Sequence, residues 1–319
     1  MAIKITVQLF QENNTMKKLK TLMQSLFFML VVQFALIQAV SAESVQIKHD
    51  GLLLNANLVK ADDNWPQGPV MLMTHGTLAH GQMEIMASLQ TMFEEMGVSS
   101  LSISLSLGLS DRTGMYDCAT PHKHKHTDAV TEIGLWHDWL KQQGVEKVAL
   151  LGHSRGGNQI ARFAAQASAK DIVKVYLVAP AVSTYQYSVK NYKERYKKDL
   201  EPLLKKAQSM VAAGKGNVMM KDTDFIYCEK TQATAEAFVN YYQPDTKMDT
   251  TSLIASISYP VTIFAGSEDK VVKNLIPKAE KVVNGESSNL VVIQGSDHFF
   301  RDLYAEEIVE MVVEELESL

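Results

Sequence analysis

Hydrophobic and polar positions follow two alternating rhythms over most of this chain. Short unbroken apolar runs, such as Val70-Met71-Leu72-Met73 and Val148-Ala149-Leu150-Leu151, suit strands buried on both faces. Between them, Met83–Met96 and Asp128–Gln143 carry apolar residues at helical spacing, the second closed by Gly144. Before this pattern begins, Val45–Lys60 reads as two short strands around Asp50-Gly51, a hairpin dipeptide. The series continues with strands over Leu101–Leu107, Lys147–Leu151 and Val173–Val178, and a helix from about Asn158 to Ala169. After a lapse it resumes with strand Val261–Ala265, helix Lys273–Val283, strand Leu290–Ile293 and a last helix Ala305–Leu316. Strands and helices in alternation imply an α/β fold: a mostly parallel, doubly wound sheet covered on both faces.

The lapse, residues 181–258, is rich in lysine and tyrosine and mainly helical in pattern, and it reads as an insertion into the α/β rhythm. A solvated helical excursion is the plainer alternative to a cap.

The first residues belong to a different kind of segment. Lys17, Lys18 and Lys20 precede an apolar stretch from Leu26 to Ile37, broken only by Gln33, and Val40-Ser41-Ala42 precedes Glu43. This is the layout of a secretory signal peptide cleaved after Ala42, with residues 1–15 as an upstream extension and Met16 as the usual start. The stretch is short for a bilayer span, and an uncleaved anchor is the alternative. Export to the periplasm or outside the cell is therefore expected, with membrane contact only through the signal segment.

Composition is that of an ordinary globular protein, with 46% hydrophobic and 21% charged residues in 319. Removing residues 1–42 takes away Lys4, Lys17, Lys18, Lys20 and Glu12, which leaves the remainder three charges more acidic than the whole chain's −5. That balance argues against nucleic acid as a partner. The two cysteines, Cys118 and Cys228, would face an oxidising compartment, so a disulfide between them and two buried thiols are both open.

The chemistry concentrates in three loops. Gly152-His153-Ser154-Arg155-Gly156 lies between a buried strand and a helix and fits G-x-S-x-G, where glycines give a sharply turned serine the room it needs. A serine hydroxyl requires a base, and the base requires a carboxylate to orient it. Ser267-Glu268-Asp269 follows one later strand and Asp297-His298 follows the next; of nine histidines only His298 comes after the last strand. Loops at the carboxyl ends of such strands gather along one edge, which brings Ser154, Asp269 and His298 together, with Glu268 the rival to Asp269. Amide donors for an oxyanion are expected from Arg155 and from Thr77, in the His75-Gly76-Thr77 loop after an early strand, with His75 shaping that loop.

With those loops, the chain resembles the α/β-hydrolase superfamily, particularly its esterase and lipase-like members, over residues 45–319. The resemblance implies that residues 181–258 form a helical cap or lid. It also implies a serine hydrolase acting on a small-molecule carboxylic ester or thioester through an acyl-enzyme, with no cofactor and no metal. An acyltransferase, a peptidase and a non-catalytic binding protein on the same fold are the alternatives. Where relatives carry an Asp-x-Arg-Gly-His-Gly run, this chain has Leu105–Cys118 of another sequence. The alternating histidines of Pro121-His122-Lys123-His124-Lys125-His126 share one face of an extended segment, but the intervening lysines oppose a metal cation, and a solvated loop near the site mouth is expected.

Overall fold

A computed structural model describes residues 42–61 and 65–318. The expected signal peptide, cleavage site and upstream extension lie outside the described residues, except for Ala42 itself.

Eight strands form one sheet: β1 (Glu43–His49), β2 (Leu52–Val59), β3 (Pro69–Thr74), β4 (Ser99–Ser104), β5 (Lys147–His153), β6 (Ile172–Val178), β9 (Val261–Gly266) and β10 (Ser288–Ile293). Their order is β1-β2-β4-β3-β5-β6-β9-β10. The β1–β2 and β2–β4 pairs are antiparallel and all later pairs parallel. Asp50 and Gly51, both at positive φ (46° and 78°), make the first hairpin turn.

Alternation along each central strand divides the interior in two. Val70, Leu72, Val148 and Leu150 join the cluster under α2 (Asp128–Gln142) and α3 (Arg155–Ala164), whereas Met71, Met73, Ala149 and Leu151 face α1 (Glu84–Glu95) and α8 (Leu303–Glu317). All eight side chains are fully buried. Burial on that scale stabilises by about 1.5–3 kcal/mol for each Leu, Val or Met, which makes this double-sided core the main support of the strand ends that carry the site.

Two helices differ from the reading of periodicity. The helix expected from about Asn158 begins at Arg155, directly after the elbow, because Gly156 and Gly157 hide the first turn from a pattern search. The helix expected over Lys273–Val283 is only α7 (Leu275–Ala279).

The inserted segment holds α4 (Tyr185–Tyr196), α5 (Leu200–Ala212) and α6 (Ala235–Tyr242), but it is not wholly helical. β7 (Met219–Phe225) and β8 (Cys228–Thr234) form a separate antiparallel pair. Threonines cap two of these three helices: Thr184 accepts from the Tyr187 amide and Thr234 from the Ala237 amide. Cys118 and Cys228 form a disulfide, tying this hairpin to the loop that follows β4. Among the described residues no helix is long and apolar enough to cross a membrane.

The alternating histidines correct an expectation. Residues 121–126 are not a solvated loop: His122, His124 and His126 are buried, and only the lysines between them turn outward. The reason is backbone pairing. His122 donates its amide to the Gln232 carbonyl (2.7 Å) and accepts at its own carbonyl from the Thr234 amide (2.9 Å), a single parallel bridge that draws the start of the segment against β8.

Candidate active site

Chain order reverses around β3 and β5. The chain passes from β3 outward to β4, then returns across β3 to β5, and at such a point the loops beyond the strand ends diverge and leave a crevice. The His75–Thr77 loop and the Gly152–Gly156 elbow occupy that position.

Ser154 sits at φ 57°, ψ −120°, a conformation costly for any residue with a side chain. Close approach on every side enforces it. A Cβ on Gly152 would meet the Gly156 carbonyl oxygen at 2.5 Å, and one on Gly156 would meet the His75 carbonyl oxygen at 2.3 Å. The elbow is also bonded into the sheet, the Ser154 amide donating to the Val178 carbonyl (2.9 Å) and its own carbonyl accepting from Ala181 (2.9 Å).

The loops after β9 and β10 deliver the other two side chains. His298 Nε2 lies 3.0 Å from Ser154 Oγ and its Nδ1 lies 2.8 Å from Asp269 Oδ2. Asp269 Oδ1 accepts from the amides of Val271 (2.7 Å) and Val272 (2.9 Å), which leaves Oδ2 for the ring. Burial alone would raise the Asp269 pKa; the hydrogen bond and charge of His298, with the two amides, outweigh it and hold the carboxyl below its ordinary range. Glu268, the rival in sequence, is exposed. With the proton on Nδ1 directed at a carboxylate, the Nε2 lone pair faces the serine hydroxyl.

His153, the residue before the serine, was not singled out by motif reasoning. It is buried, donates from Nε2 to the His298 carbonyl (2.9 Å) and lies 4.9 Å from the His298 ring, centroid to centroid. Burial first, then the neighbouring His298, lowers its pKa to about 4, so it is a neutral support beneath the base. Strand alternation was the available signal: two residues beyond Leu151, it points to the same side of the sheet.

His75 shapes its loop. Its ring hydrogen-bonds the Gly76 carbonyl through Nδ1 (2.8 Å) and accepts at Nε2 from the Leu105 amide (3.0 Å), with Arg112 Nη2 at 3.2 Å. Burial and the Arg112 charge lower its pKa to about 3, so it stays neutral. The loop it shapes lies against the elbow, close enough that a Cβ on Gly76 would stand 3.3 Å from the Ser154 Cβ. Among the described residues the main-chain amides of Thr77 and Arg155 meet no protein acceptor, and the Arg155 side chain donates from Nε to Thr77 Oγ1 (2.9 Å). The two loops expected to face an oxyanion are thus fastened to one another.

The inserted segment reaches this site. Tyr241 of α6 lies under the Arg155 guanidinium, 5.4 Å from its ring centroid. Its hydroxyl bonds His124 Nδ1 (2.9 Å), and His124 Nε2 bonds His122 Nδ1 (3.1 Å). His126 Nε2 bonds Asn158 Oδ1 (2.8 Å), whose amide nitrogen holds the Lys247 carbonyl (2.9 Å). His122 and His124 are thus bonded to one another and His126 to Asn158, and among the described residues no cluster of three or more His, Cys, Asp or Glu is arranged to hold a metal.

A serine, a histidine and a carboxylate aligned at hydrogen-bond distance, beside two unspent amides, are equipped for acyl transfer. The family model described as serine aminopeptidase, S33, matches residues 121–306. The chain belongs to this α/β-hydrolase family. It is accordingly a hydrolase of the esterase, lipase and peptidase type. Among solved structures it is similar to Est1E from Butyrivibrio proteoclasticus, at 18% identity over 87% of this chain and 98% of that one, with a TM-score of 0.60. It is similar also to the α/β hydrolase GrgF from Penicillium sp. sh18, at 15% identity over 87% and 98% and a TM-score of 0.63. A monoacylglycerol lipase from Paleococcus ferrophilus gives 17% identity over 83% and 98%, with a TM-score of 0.56. At these identities the likeness concerns the fold. No curated protein matches the sequence.

Proposed function

We propose that this α/β hydrolase is an exported carboxylesterase, cleaving an ester or thioester of a small molecule in two steps through Ser154. His298 takes the hydroxyl proton as Oγ attacks the carbonyl, the Thr77 and Arg155 amides receive the oxyanion, and Asp269 holds the imidazole in the useful tautomer and stabilises its cation. The leaving alcohol takes the proton from His298; water then enters by the same route and frees the acid. The single observation that carries this reading is the continuous Asp269–His298–Ser154 hydrogen-bond line at 2.8 and 3.0 Å.

Export rests on the charged, apolar and small-residue order of residues 17–42, together with the Cys118–Cys228 disulfide, a bond that persists in oxidising compartments. The segment over residues 181–258 acts in this reading as a cap, since it places Tyr241 beside the elbow.

The family's description favours a second reading, an aminopeptidase. Such an enzyme must hold a substrate ammonium group, and the Arg155 cation beside the elbow opposes one. Nitrophenyl esters of rising acyl length, run beside aminoacyl nitroanilides, separate the two. Ester turnover abolished by Ser154→Ala supports the esterase; faster release from the nitroanilides would replace it with the peptidase.

A further inference from the structure

Arg155 has a feature that oxyanion chemistry leaves unused. Its amide would serve the oxyanion, but its side chain is a partly buried cation with no carboxylate in ion-pair range among the described residues. The other arginines differ. Arg162 pairs with Asp245, and Arg301 with Asp297 and Glu84. Arg112 spends its fork on the Leu105 and Gly114 carbonyls, and Arg195 is exposed over Tyr227. At Arg155 only Nε is engaged, on Thr77 Oγ1, while the Tyr241 ring lies below the guanidinium, 5.4 Å from centroid to Cζ. Both Nη groups, four N–H donors, meet no protein acceptor among the described residues.

A guanidinium held at one edge and one face, with its outer edge free, is organised to receive a planar anion by two parallel hydrogen bonds. We infer that Arg155 forms an anion subsite and that the substrates are esters bearing a free carboxylate, such as half-esters of short dicarboxylic acids. The position sets the geometry: the guanidinium grows from the residue after the nucleophile, so the carboxylate must lie only a few bonds from the carbonyl that Ser154 attacks. Surrounding groups sharpen the preference. The charge of Arg155 already weighs on buried His124 and His126, which burial keeps neutral and which therefore offer the guanidinium no counter-charge. Asp128, the acidic side chain that acts on Tyr241, is occupied by the Lys125 amide. A bound carboxylate would thus complete a charge balance that the protein leaves open.

This inference rests on the esterase reading for the identity of the ligand, but its test does not need turnover. Calorimetric titration of the Ser154→Ala protein with monomethyl succinate, glutarate and adipate, each against its dimethyl ester, compares carboxylate with neutral ester at one site. At least one half-ester is expected to bind about tenfold or more tightly than its diester, the size of a charge-assisted pair. Arg155→Met in the same background should erase that advantage, and Arg155→Lys, which keeps the charge and loses the fork, should retain only part of it. Equal affinities, no detectable binding of any half-ester, or an advantage that survives Arg155→Met would overturn the subsite. Whether the unaltered protein hydrolyses the neutral diesters is a separate result, and its failure would remove the esterase reading while leaving the binding comparison intact.

Discussion

Asp269 and Glu268 are neighbours in sequence with unlike surroundings, and the difference decides their parts. Asp269 is fixed by two backbone amides and faces His298, whereas Glu268 is exposed. Asp269→Asn should therefore lower kcat on an ester substrate by on the order of 10⁴-fold, because an amide cannot favour the same imidazole tautomer. Glu268→Gln should change it little, and steady-state kinetics on the pair of variants checks both. Residue types at loop positions made Ser154, Asp269 and His298 readable from the chain, since each follows a recognisable buried strand. His153 and Tyr241 were not readable in that way. Alternation gives the side of the sheet that His153 faces, but its partner is a carbonyl 145 positions away and that of Tyr241 is an arginine distant in the chain, pairings that local patterning does not specify.

Elements show the same division. Central strands such as β3, β5 and β9 were legible because burial on both faces leaves apolar runs, and the boundaries of the sheet strands shifted by only a few residues. The β7–β8 hairpin was not legible. Its sequences, Met-Met-Lys-Asp-Thr-Asp-Phe and Cys-Glu-Lys-Thr-Gln-Ala-Thr, are mostly polar and lack clean alternation, and the positions they bury include threonines and an aspartate that a hydrophobic pattern does not mark. The elbow is the most tightly constrained element. Gly156→Ala would press a methyl group into the His75 and Thr74 carbonyls and should cost at least about 3 kcal/mol or prevent folding. Gly114→Ala, where nothing lies within 4 Å, is the tolerated control; urea midpoints of the two distinguish these outcomes. The disulfide closes a separation of 110 residues between the loop after β4 and the hairpin. Cys228→Ser should destabilise by about 2–4 kcal/mol in the same measurement, and an unchanged midpoint would mean that the cross-link holds nothing the packing does not.

At the scale of the whole molecule, the unusual quantity is the number of neutral histidines kept from water. Burial lowers the pKa of His122 and His153 to about 4 and that of His75 to about 3, and it lowers His124 and His126 as well. On unfolding each returns toward 6.5 and binds a proton, so in the window between 6.5 and about 4 the unfolded state carries more protons than the folded one. Stability must then fall as the pH is lowered through that window, by up to about 1.4 kcal/mol per pH unit for each histidine. Asp269, whose pKa is lowered, extends the loss to more acid conditions, since its contribution is present above its ordinary value and disappears as the pH drops through the folded one. Denaturant titrations at pH 7.5 and pH 5 should differ sharply; a flat profile would mean that the buried rings are already charged or are not buried.

All of the proposed chemistry depends on Ser154 Oγ being the atom that attacks. Incubating the protein with a fluorophosphonate and locating the adduct by peptide mass spectrometry tests this most directly. The expected result is one stoichiometric adduct on Ser154, with labelling lost in His298→Ala. An unmodified Ser154, or an adduct on another residue that persists in Ser154→Ala, would contradict it.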